Sequence, residues 1–141
     1  MTENRGALRD SKFGQLTVRA IMEKAVQSAD KETEAEMLAS YMMEGFGSIP
    51  IIDGNAKLLG IVSEFDLLSA LRKGKTLNEV KAGEIMTANP VSVTQDTNVM
   101  TLIDVLQNNH LIRVPVVDST GKLIGIVARR DLLRGYLHAI S

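Results

Sequence analysis

The side chains able to do chemistry in this 141-residue chain are few and widely spread. Cysteine is absent, which removes disulfides, cysteine-zinc sites, iron–sulfur clusters and thiol nucleophiles together. His110 and His138 lack metal-ligand spacing, and neither falls into a Ser/His/Asp order. Glu64 and Asp66 are near enough to suggest a general acid and base, yet no apolar run beside them builds the pocket that such a pair requires. Gly45-Phe46-Gly47 hints at a dinucleotide loop, but it follows a helical stretch instead of a strand and continues Ser-Ile-Pro without the third glycine. Neither a catalytic nor a metal-binding set emerges. Two aspartates in matching contexts remain: Gly60-Ile-Val-Ser63-Glu-Phe-Asp66 and Gly125-Ile-Val-Ala128-Arg129-Arg130-Asp131. An ionised carboxylate there is an acceptor only. It is also favourable at a helix start with or without a ligand.

These contexts belong to an internal repeat. Ser48–Leu68 aligns with Arg113–Leu133, and Pro50, Asp53, Lys57, Leu58, Gly60, Ile61, Val62, Asp66, Leu67 and Leu68 all recur in register. Upstream, Ile21-Met22 matches Ile85-Met86, with Pro90 as the simplest extra residue of the second copy. Each copy reads as strand, helix, strand, strand, helix. Val99, Leu102, Ile103 and Leu106 recur at helical spacing behind the capping candidates Asp96 and Thr97. Met37, Leu38, Tyr41 and Met42 do so behind a Thr33/Glu36 capping box. The β-branched runs Ile49–Ile52 and Val114–Val117 precede turns at Asp53-Gly54-Asn55 and Asp118-Ser-Thr-Gly121, and strands return over 58–62 and 123–127. Val91–Thr94 alternates like a half-buried strand, with 25–29 as its weaker counterpart. The fold class is α+β: two β-α-β-β-α repeats packed face to face about a pseudo-twofold axis. A unit of roughly 60 residues buries too little apolar surface alone, and such pairing leaves clefts where small ligands sit.

The composition fits a folded chain, with 45% hydrophobic and 23% charged residues. A net charge of -1 argues against a nucleic-acid grip. The polar start and the lack of a long apolar run exclude a signal peptide and a membrane span, which points to the cytoplasm. The expected organisation is a polar tail over 1–15, one repeat over 16–71, a connector over 72–79 and a second repeat over 80–139.

With these motifs in place the chain resembles a tandem pair of CBS domains, the regulatory module first known from cystathionine β-synthase. The likeness rests on the hydrophobic-Pro-hydrophobic-hydrophobic-Asp strand and the Gly-h-h-Ser/Thr-x-x-Asp motif, doubled at one offset over nearly the whole chain. The resemblance implies a non-catalytic module that senses adenosyl nucleotides in two inter-repeat clefts and signals to a partner protein in trans. AMP, ADP or ATP is the first expectation, NAD or S-adenosylmethionine the second, with no obligatory cofactor. Asp131 and Asp66 would accept the ribose hydroxyls, and helix capping is the competing role for both. Ser63 matches the motif hydroxyl; the second copy departs from it with Ala128, followed by Arg129 and Arg130, which could meet phosphate by charge. Arg113 stands where relatives carry a phosphate-reaching cation, and Ser48 is its counterpart. Adenine would lie among Thr17, Met22, Phe46, Gly47 and Ser48 in the Asp131 cleft, and among Lys81, Met86, Leu111, Ile112 and Arg113 in the Asp66 cleft. Leu67, Leu68 and Leu71, with Leu132, Leu133, Tyr136 and Leu137, form outer helix faces that imply a homodimer. The alternative function is a dimerisation or adaptor module with vestigial clefts and no nucleotide.

Overall fold

The computed structural model describes residues 7–140; the first six residues of the expected tail, and Ser141, lie outside it. In chain order a 3-10 turn (Phe13–Gln15) and α1 (Val18–Ile21) precede α2 (Ala35–Met43), β1 (Ser48–Ile52), β2 (Leu58–Ser63) and α3 (Glu64–Arg72). A second turn (Leu77–Glu79), α4 (Ala82–Ile85), β3 (Thr87–Ala88) and β4 (Val93–Thr94) lead into α5 (Val99–Asn108), β5 (Arg113–Val117), β6 (Leu123–Ala128) and α6 (Arg129–Ile140). The two compact units cut across the sequence repeats. Unit 1 takes the residues up to Val26, Val91–Ser119 and those from Ile124 onward; unit 2 takes Gln27–Pro90 and Thr120–Leu123. The leading segment of each repeat is therefore packed on the strands of the other.

In unit 1 the sheet runs β4-β5-β6, with β4 parallel to β5 through Val93↔Val116 and Thr94↔Val117. Its core gathers Phe13, Val18, Val99, Leu102, Leu106, Val114, Val116, Val127 and Leu132. The apolar stripe read for α5 faces this core, with Ile103 half-buried beside Val99, Leu102 and Leu106. The α5 cap is neither Asp96 nor Thr97. Asn98 holds that position, its Oδ1 accepting from the Met100 N–H at 2.8 Å while its Nδ2 donates to the Gly14 carbonyl at 2.8 Å. One side chain thus closes a helix end and ties down the segment before α1. Residues 7–15 are accordingly more than a polar tail. A helical stretch covers 7–10, Phe13 is buried, Leu8 packs on the core and Phe13 meets Tyr136 edge to face at 5.5 Å.

In unit 2 the sheet runs β1-β2-β3, antiparallel throughout, with Ser48↔Ser63 and Pro50↔Ile61 paired and a register shift between Ile51 and Ile52. The core comprises Ala35, Leu38, Met42, Ile49, Ile51, Val62, Leu67, Val80 and Ala82. The expected Thr33/Glu36 capping box does not form. The helix begins one residue later than that box requires, Glu34 is its cap residue without a side-chain bond, and Thr33 Oγ1 donates to Asp30 instead. Of the stripe, Leu38 and Met42 face inward with Ala35, whereas Met37 is exposed.

Candidate functional site

The two motif aspartates sit at equivalent helix starts. In unit 2, Asp66 Oδ2 accepts from the Ser63 N–H at 2.8 Å and from Ser63 Oγ at 3.1 Å, and the Asp66 N–H donates back to Ser63 Oγ, which completes a capping box on α3. In unit 1, Asp131 Oδ2 accepts from the Ala128 N–H at 2.8 Å. The Asp131 carboxylate is only 14% exposed, and its Oδ1 accepts from Arg134 at 2.9 Å. Arg134 was not among the residues singled out from sequence, although its i,i+3 spacing from an aspartate on a helix was a usable signal. Both aspartates thus cap their helices. An ionised carboxylate offers about four acceptor positions, so capping leaves room for a pair of hydroxyl donors.

Beneath each motif a glycine lets the partner segment approach. A Cβ on Gly125 would come within 3.0 Å of the Glu23 carbonyl and 2.9 Å of Met22 Sδ; one on Gly60 would come within 2.8 Å of the Thr87 carbonyl. Glu23 and Ile126 exchange backbone hydrogen bonds at 2.8 and 2.9 Å, while Thr87 pairs with Ile61. Thr17 and Met22 consequently share unit 1 with Ala128, Asp131 and Arg113, and Lys81 and Met86 share unit 2 with Ser63 and Asp66. Phe46, Gly47 and Ser48, assigned with Asp131, lie in unit 2; Leu111, Ile112 and Arg113, assigned with Asp66, lie in unit 1.

Several of these side chains have partners that sequence could not supply. Lys81 Nζ donates to Glu32 at 2.8 Å; this hydrogen bond and the pairing of charges raise the Lys81 pKa and lower that of Glu32. Arg113 is half-buried at the start of β5, and Arg129 and Arg130 are exposed at the start of α6. Its counterpart Ser48 is buried, and its hydroxyl lacks a hydrogen-bond partner among the described residues. Leu111, Ile112 and Arg129 also line an apolar groove of about 840 Å³ within unit 1, beside Phe13, Leu132, Leu133 and Tyr136. Among the described residues no His/Asp/Glu cluster could hold a metal ion.

The model of the CBS domain matches residues 18–73 and again 82–138. The chain belongs to the CBS domain family. Among solved CBS pairs it is similar to CBSX2 in complex with AMP, at 30% identity over 89% of this chain and 99% of that one, with a TM-score of 0.80. The CBS domain pair of protein MJ0100, solved with 5'-methylthioadenosine and S-adenosyl-L-methionine, is 28% identical over 86% of this chain and 96% of that one, with a TM-score of 0.76. An uncharacterised protein of Methanopyrus kandleri is 32% identical over 110 residues, covering 77% of this chain and 56% of that protein. The chain spans about half to two thirds of the length of several curated relatives it matches. CBS pairs occur as regulatory modules, no catalytic domain is evident in this chain, and no described helix is long and apolar enough to cross a membrane.

Proposed function

We propose that this CBS pair is a non-catalytic, cytoplasmic regulatory module that binds an adenosyl nucleotide and passes its occupancy to a partner protein in trans. The observation carrying this reading is the retention of both motif aspartates in the same geometry, each held by the N–H three residues before it at 2.8 Å. A carboxylate fixed in this way is preorganised to accept two vicinal ribose hydroxyls. The AMP in CBSX2 and the adenosyl ligands in the MJ0100 pair support adenosyl chemistry. Around Asp131, Thr17 and Met22 of the same unit stand on the adenine side. Arg113, Arg129 and Arg130 supply positive charge for phosphate. Around Asp66, Ser63 and Lys81 are the polar contributors, but Glu32 already holds Lys81 and Glu64 adds a negative charge. Phosphorylated ligands should therefore favour the Asp131 side. The chain acts as a homodimer, joined through the exposed faces of its helices.

The partnered state of Asp131 favours one competing reading. With Ala128 and Arg134 both bound to it, one acceptor position on each carboxylate oxygen already serves the fold, and in this reading the residue is a structural cap and the chain an adaptor with vestigial clefts. A thermal-shift screen against AMP, ADP, ATP, NAD and S-adenosylmethionine separates the two, because a ligand of the folded state raises stability by RT ln(1 + [L]/Kd). A concentration-dependent rise with at least one of them is expected. No response to any supports the adaptor.

A further inference from the structure

Neither motif aspartate lines the apolar groove of unit 1, so the nucleotide reading leaves it without a role. Its floor is formed by Phe13, Leu106 and Leu132, all buried. Its amide, imidazole and guanidinium groups gather at one end: Gln107 lies in the last turn of α5, His110 just beyond it, and the Arg129 N–H donates to the Ile112 carbonyl at 2.9 Å, which brings the first residue of α6 to the same place. The carbonyls of Val105, Leu106 and Gln107 already accept from the N–H groups of Asn109, Leu111 and His110. That end therefore offers donors. Among the described residues no carboxylate lines the groove, and Arg129 has no ion-pair partner. Toward the other end, Tyr136 stands about two turns along α6 from Arg129, roughly 10 Å away, and meets Phe13 edge to face. The equivalents of Gln107, His110 and Arg129 in unit 2 are Met42, Gly45 and Glu64, so the donor set belongs to unit 1 alone. His110 holds φ 53° where Gly45 holds 110°. A side chain kept in the left-handed region, where glycine would fit at less cost, points to a use for that side chain.

We propose that this groove binds an amphipathic carboxylate, its alkyl chain laid over Phe13, Leu106 and Leu132 and its head group held by Arg129 with N–H donors from Gln107 and His110. A volume of about 840 Å³, an apolar lining and a few converging polar groups are the usual attributes of a small-molecule site. The cationic end supplies the charge complement of the head group. Failure of AMP to bind would leave this site standing.

The probes are decanoate and decyltrimethylammonium, alike in chain length and opposite in charge, titrated calorimetrically into the full chain below their micelle concentrations. Saturable decanoate binding at one site per chain is expected, with a preference over the cation of roughly tenfold or more. Equal affinity for the two probes overturns the proposal. Absence of decanoate binding also overturns it, and a light-scattering mass above 15.4 kDa would then assign the groove to a second copy. Leu133→Glu, at an exposed position of the groove, should abolish decanoate binding, whereas Leu68→Glu, its exposed equivalent on α3, should leave it unchanged; equal losses in both variants overturn the site. His110→Gly should weaken decanoate several-fold with no fall in melting temperature, which separates loss of a ligand contact from loss of fold. Unchanged decanoate affinity in both His110→Gly and Arg129→Gln overturns the proposal.

Discussion

Units 1 and 2 share a ground plan, yet they close it by different means. Unit 1 fastens its leading segment with Asn98, a buried Phe13 and a glycine wedged under the 7–10 stretch; unit 2 fastens its own with buried Val80 and Ala82, backbone bonds from Ala82 and Gly83 to Thr33 and Lys31, and the exposed Lys81–Glu32 pair. At the functional motif the contrast reverses. Unit 2 keeps the hydroxyl of Ser63 in a complete capping box, whereas unit 1 has lost it at Ala128 and gained Arg134 and two exposed arginines. The unit that departs from the family motif is thus the more basic one there, and the one whose lead segment is also tied by an asparagine side chain. A repeat constrains the backbone through equivalent apolar positions, and its polar positions are free to diverge.

The largest effect separating the units is expected at Gly14. A Cβ there would overlap the Leu8 carbonyl and come within 2.5 Å of the Arg9 carbonyl, both backbone atoms that cannot swing away. Gly14→Ala should cost about 1–3 kcal/mol, whereas Asn78→Ala, at the exposed equivalent in unit 2, should stay within about 0.5 kcal/mol; urea titrations of both check this. Next comes Asn98→Ala, which removes the α5 cap and the bond to Gly14, for a loss of about 1–2 kcal/mol in the same assay. A smaller effect of opposite sign is expected at His110. It holds φ 53° where its counterpart is Gly45 at φ 110°, so His110→Gly should stabilise the chain by up to about 1 kcal/mol.

The smallest effect should come from Glu32 and Lys81. The Glu32 pKa is lowered below 4.5 and the Lys81 pKa is raised above 10.5. The Glu32 contribution is therefore complete above about pH 4.5 and is lost as pH falls through its lowered value; that of Lys81 is complete below about pH 10.5 and is lost as pH rises through its raised value. Both groups are solvent-exposed, so the gap in melting temperature between wild type and Glu32→Gln should be slight at neutral pH. It should close in high salt and in acid.

Much of the fold was legible because strands and helices were written twice. The β-branched runs became β1 and β5, the returning runs β2 and β6, and the stripe of α5 faces its core. The exchange of leading segments was not legible. Nothing local marks that Glu23 pairs with Ile126 or Thr87 with Ile61; only the close approach at Gly60 and Gly125 requires it, and a glycine in a strand has several readings. Caps were misassigned by a residue or two, since Asp96, Thr97 and Asn98 all suit the role and tertiary bonding to Gly14 decides between them. Leu67 and Leu132, read as outer-face residues, are buried because the helix turns them onto the sheet, while Leu68, Leu71, Leu133 and Leu137 stay exposed. At the motif, the place of both aspartates at a helix start was legible, but the partners of Asp131 and Lys81 depend on rotamers that composition does not encode.

Because Asp131 caps α6 in either reading, replacing it with alanine would lower stability whether or not a nucleotide binds. Asp131→Asn is the sharper probe: asparagine keeps a carbonyl oxygen for the Ala128 N–H from the same third position of the helix, but it loses the charge and an acceptor. Calorimetric titration of wild type and Asp131→Asn with AMP, alongside their melting temperatures, therefore tests the account directly. It predicts nearly equal melting temperatures and AMP binding weakened roughly tenfold or more, as expected for losing a charge-assisted bond of about 1.5–3 kcal/mol. Equal AMP affinity in the two proteins, or no binding heat from the wild type, would contradict it.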